Sequence, residues 1–183
     1  MDCSISYGMK RIAIIGVWLA VLVVDGIVLP ALTGRPAGLG VMVFLAALAI
    51  TFGIQRWVIG LGIVLAGLTE LMLGIYFGTI IGAWLVLAWG WHLLNRFLNM
   101  KPVSENDSWP VLAPFTLFGL ALFLLGESAS WAISRFAYEP GLSPATLFQI
   151  VRSPVIFCVV TVELVVILFI FHFIYSARNI NHA

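Results

Sequence analysis

Apolar residues along this chain run in long stretches, with little alternation and few polar interruptions. About 20 consecutive apolar residues carry a helix across a bilayer, and six segments approach or exceed that length. The first is Ile12–Leu32, closed by Thr33-Gly34-Arg35-Pro36. The second, Leu39–Ile54, is short for a full crossing and ends at Gln55-Arg56. The stretch from Trp57 to Leu94 is too long for one span and suits two joined by a tight turn near Leu73-Gly74. A polar loop, Asn95–Ser108, precedes the fifth segment, Val111–Ile133. A Pro- and Gly-containing connection, Ser134–Ser153, with room for a short helix at Pro144–Val151, leads to the sixth, Pro154–Tyr175. The pattern predicts an all-α, polytopic membrane protein of about six transmembrane helices, forming one domain over residues 1–183.

Composition narrows this further. Only 9% of the 183 residues are charged and 62% are hydrophobic, where an ordinary soluble domain carries roughly 25% charged residues. No polar stretch is long enough to bury a core of its own. The formal charge of +1 gives no reason to expect a nucleic-acid partner. Met9–Leu29 opens with Lys10 and Arg11 as a signal sequence does. Its apolar run exceeds a signal core, and no small-residue cleavage site follows, so it reads as a retained anchor. Lys and Arg placement sets orientation. With the N-terminus inside, Lys10, Arg11, Arg56, Arg96, Lys101 and Arg178 fall on the cytoplasmic side, and Arg35, Arg135 and Arg152 outside. The expected topology is therefore N-in and C-in. Trp57, Trp89, Trp91 and Trp109 would mark the inner interface and Trp131 the outer one.

The chemistry lies in the exceptions. Asp25, Glu70, Glu127 and Glu163 sit inside apolar runs. An ionisable group at membrane depth is costly unless paired, neutralised or hydrated, and so marks a candidate site. The predicted topology places all four in the outer half of the membrane, the side that also carries Arg35, Arg135 and Arg152. Three readings stay open: a proton or cation pathway, a pocket for a polar ligand, or structural acids paired with arginine or loop backbone. Glu70 sits where a turn offers free amide groups. Gly74, Gly78 and Gly82 recur at intervals of four, the spacing of one helix face, with Gly60, Gly62 and Gly67 before them. Small residues on a membrane helix admit close packing, either between spans three and four or against a partner.

Other chemistry is thin. Cys3 and Cys158 are the two cysteines and form neither a disulfide framework nor a metal site. His92, His172 and His182 show no metal-ligand spacing on one helix. No nucleophile triad, phosphate loop or dinucleotide fingerprint is present. The expectation is a protein without enzymatic activity, cofactor or metal.

The segment Gly67-Leu68-Thr69-Glu70-Leu71-Met72-Leu73-Gly74-Ile75-Tyr76-Phe77-Gly78, preceded by Leu29-Pro30-Ala31-Leu32 and an apolar span, resembles MreD, the rod shape-determining membrane protein family. The shared pattern is Gly-Leu, an acid, Leu, a short turn and Gly, over roughly residues 21–95. Here the acid is Glu70 where the family usually has Asp. The resemblance implies a non-catalytic scaffold of the cell-wall elongation machinery in the bacterial cytoplasmic membrane. It implies an MreC-like single-span partner and a RodA-like synthase nearby. Gly67, Glu70, Gly74 and Gly78 would then set hairpin geometry and partner docking. Two other classes stay open. The outer acids also suit the substrate-binding S component of an energy-coupling-factor transporter, although Gly16-x-x-x-Ala20 is the nearest feature to that family's docking face. An accessory subunit packed beside a larger membrane complex is the third.

Overall fold

A computed structural model describes residues 3–28, 39–98, 112–138 and 153–176. All regular structure among them is helical. Helix α1 is Cys3–Val23, continued by a π-helical turn at Val24–Val28. It is followed by α2 (Leu39–Phe52), α3 (Arg56–Leu73), α4 (Thr79–Leu98), α5 (Leu112–Ala137) and α6 (Pro154–Ser176). The expected short helix at Pro144–Val151, the loop residues 99–108, and Arg35, Trp109 and Arg152 lie outside the described residues.

Three helices are long and apolar enough to cross a bilayer, over Arg56–Leu73, Pro114–Ala137 and Pro154–Phe173. Ile12–Val28, Leu39–Phe52 and Thr79–Leu93 are shorter apolar helices. Surfaces turned away from the core are apolar as well: Leu71, Met72, Leu117, Val162 and Phe173 are all more than 60% exposed. In water such surfaces would drive association. In a bilayer they meet hydrocarbon.

The core is built around α2. All 14 of its residues are buried, and it packs against every other helix, most extensively α5 and α6. A helix that is apolar all round has no face to turn to a polar surrounding and belongs inside. Its one hydroxyl, on Thr51, donates back to the Ala47 carbonyl at 2.8 Å. Aromatic rings fill the end near Phe52, where Phe171 meets both Phe44 and Phe52 edge-on.

Small residues fix how closely the outer helices approach. A methyl added at Gly62 of α3 would lie 2.3 Å from the Trp84 ring of α4. Trp84 in turn donates to the Ile59 carbonyl at 3.2 Å. Gly82 of α4 faces Ile133 of α5, and Gly126 of α5 faces the Met42 side chain of α2. Trp91, expected at an interface, is buried and meets Phe118 edge-on, whereas Trp89 is exposed. Helix α5 runs to Ala137, four residues past the expected end at Ile133.

Candidate functional site

The glycine series does not form one helix face. Helix α4 starts at Thr79, so Gly74 and Gly78 lie in the turn before it and only Gly82 is helical. Both turn glycines have positive φ, 65° and 91°, a region that L side chains adopt at a cost. Gly74 ends α3 in the left-handed conformation, with its N–H donating to the Glu70 carbonyl. The Ile75 N–H donates to the same carbonyl at 3.0 Å.

Gly78 then stands at the N-cap of α4, since its carbonyl accepts the first helical bond, from the Gly82 N–H at 2.9 Å. A helix start leaves four N–H groups without helical acceptors. A Ser, Thr, Asp or Asn at the N-cap would usually answer some of them through its side chain, and glycine has none. Glu70 takes over that role from the end of the previous helix. Its Oε2 accepts from the Gly78 N–H at 2.8 Å, and its Oε1 accepts from the N–H groups of Ile80 and of Ile81, the latter at 3.0 Å. The fourth group, the Thr79 N–H, donates to the Tyr76 carbonyl at 3.2 Å. Every amide of the α4 start is thus satisfied, three of them by one buried carboxyl group. The helix dipole adds to the attraction, because its positive end meets the acid.

Asp25 holds a comparable position one hairpin earlier. It is fully buried in the π turn that ends α1. Its Cβ, Cγ and Oδ1 lie 3.0–3.2 Å from where a side-chain carbon on Gly40 would sit. Gly40 belongs to the first turn of α2, so the acid of one helix again abuts the start of the next.

These two acids share one end of the bundle. Gly26, beside Asp25, faces the Leu73 side chain at the end of α3, 3.2 Å from an added carbon. Trp18 of α1 donates to the Thr69 hydroxyl at 3.2 Å, and Thr69 donates to the Leu65 carbonyl at 2.8 Å. The Tyr76 and Tyr138 rings stack at 4.5 Å, and the Tyr138 hydroxyl donates to the Phe77 carbonyl. This end therefore links the end of α1, the α3–α4 turn and the end of α5.

Glu127 is half-buried within α5, and Glu163 is half-buried on α6, lining a groove shared with Val24 of α1. Of the arginines assigned to this side, Arg135 is described, and its guanidinium lies over the Trp131 ring at 5.2 Å. His92 is exposed and His172 half-buried. Among the described residues, no group of three His, Cys, Asp or Glu side chains could hold a metal ion.

The Trp18–Thr69 bond and the tyrosine stack carry no sequence signature. Each joins residues 51 or more positions apart, and neither partner breaks the apolar pattern. Searches for similar proteins find no matching family model, no matching curated protein and no matching solved structure.

Proposed function

We propose that the chain is a non-catalytic scaffold subunit of a membrane complex, of the MreD kind, acting in cell-wall elongation in the bacterial cytoplasmic membrane. One observation carries this reading. The segment of the resemblance, Gly67–Gly78, is a hairpin whose acid is consumed by its own backbone: Glu70 accepts from Gly78, Ile80 and Ile81. A carboxyl group with three amide donors is a fastener and has little capacity left for a substrate. The glycines divide accordingly. Gly67 and Gly82 face Ile81 and Ile133 within the bundle, while Gly74 and Gly78 have open space before them. Docking then falls on the turn and its exposed flanks, Leu71, Met72 and Phe77. The partner is an MreC-like single-span protein, with a RodA-like synthase in the same assembly.

The test is affinity purification of the tagged chain from its own membranes, followed by native mass spectrometry. A co-purifying single-span protein with a periplasmic coiled coil supports the reading. Its recovery should fall when Leu71 and Phe77 are both changed to Ser while thermal stability is kept. A co-purifying ATPase pair, or a tightly held small molecule, overturns the reading in favour of a transporter S component.

A further inference from the structure

Hydroxyl groups within these helices share one habit. Thr51, Thr69, Ser128 and Thr161 each donate to the carbonyl four residues back, at 2.7–2.8 Å. Thr79 does not. It is the first residue of α4, so the residue four back, Ile75, belongs to the turn and not to the helix. Thr79 is 2% exposed. Its Oγ1 is the one buried side-chain nitrogen or oxygen among the described residues without a hydrogen-bond partner. A buried hydroxyl in that condition is destabilising.

We propose that one ordered water binds at the start of α4, bridging the Thr79 hydroxyl and the Glu70 carboxyl group. The inference rests on the capping geometry and is independent of the scaffold reading. Acceptor capacity is the first argument. A carboxylate offers about four acceptor positions. Two amides occupy Oε1 of Glu70, and one occupies Oε2. One position is left on Oε2, the oxygen bound to Gly78, which directly precedes Thr79. Room is the second argument. A carbon added at Gly78 would meet no atom within 4 Å outside the flanking residues, whereas a water oxygen sits roughly 2.8 Å from its partners. Gly78 is itself half-buried, which gives water a way in from the end of the bundle. Charge is the third. The amide hydrogens at the positive end of α4 disfavour a cation, and Glu70 disfavours a second anion. A small neutral ligand that both accepts and donates remains. Water accepts from the Thr79 hydroxyl and donates to Oε2. Buried waters ordinarily serve polar groups that the chain leaves unsatisfied, and hydrocarbon surroundings offer such groups no other partner.

The experiment is a crystallographic or cryo-electron-microscopy map of the full chain that shows ordered water, with thermal unfolding of Thr79→Val beside it. A peak within hydrogen-bond distance of both Thr79 Oγ1 and Glu70 Oε2 is expected. Valine keeps the shape of threonine but cannot hold the water, so Thr79→Val should lose the peak and lower the Tm by a few degrees. A hydroxyl without a ligand gives the opposite sign, because the same substitution then removes an unsatisfied polar group and raises the Tm. Should Thr79→Val fail to fold, the map of the unaltered chain decides, with Thr79→Ser expected to keep the peak. A map that resolves water elsewhere but not here, a metal ion at this point, direct pairing of the hydroxyl with a protein atom, or an unchanged or higher Tm for Thr79→Val would each overturn the inference. None of those outcomes alters which proteins co-purify, so this reading and the scaffold reading fail separately.

Discussion

Glu70 is held by donors alone: Gly78, Ile80 and Ile81 all present N–H groups to its two oxygens. Glu70→Gln keeps the shape but turns one acceptor into an NH₂ donor facing an amide N–H. A buried donor left without an acceptor costs about 1–3 kcal/mol, so a drop of that size is expected in thermal or denaturant unfolding in detergent. Gly62 supports a second prediction. Gly62→Ala would set a methyl 2.3 Å from the Trp84 ring, and overpacking of this kind costs roughly 1–3 kcal/mol. Adding Trp84→Phe should recover part of the loss by removing ring atoms, and a double-mutant cycle would read the coupling. At this scale the sequence was partly legible. An acid four residues before a glycine inside an apolar run announces a turn with free amides. That Gly78 caps α4 and does not sit on its face was hidden, because glycines four apart serve both arrangements. The choice is made by the carboxyl group that claims the amides.

Among the elements, α2 is the informative one. Its 14 residues, at 1.5 Å each, span about 21 Å, less than the roughly 30 Å of hydrocarbon in a bilayer. At its start, Asp25 stands against the first turn through Gly40. Gly40→Ala would push a methyl into the Asp25 side chain and should destabilise the fold, whereas Gly60→Ala, with open space around it, should not. Leu45 is fully enclosed and Leu117 is 72% exposed. Leu45→Ala should cost about 2 kcal/mol, the low end of the core range, because lipid tails are as apolar as leucine and the cavity supplies most of the loss. Leu117→Ala should be close to neutral, and unfolding in detergent distinguishes the two. The shortness of α2 was legible in the stretch Leu39–Ile54. Its central position was not, since positions facing lipid and positions facing protein are equally apolar and periodicity loses its meaning.

The whole molecule comprises six helices among its described residues. If each crosses, both ends of the chain lie on one side, and the Lys and Arg distribution assigns that side to the cytoplasm. A fluorescent protein fused after Ala183 should then fold and emit, and alkaline phosphatase fused there should be inactive. The reverse result would reject the N-in, C-in topology. Helix number and order followed from the apolar runs and their polar breaks. Which helices touch did not. Helices α4 and α5 pack closely although the polar loop separates them in sequence, because Gly82 receives Ile133 and Gly90 receives Leu125. Such matches between a gap and a side chain are properties of shape, on which hydropathy is silent.

The enclosure of α2 also bears on biogenesis. It is the second helix to be synthesised, and it emerges before α3, α4, α5 and α6 exist to cover it. A helix with a polar face would need shelter during that interval. This one is buried along its whole length, so in a bilayer lipid would be its first surrounding until the later helices packed on it.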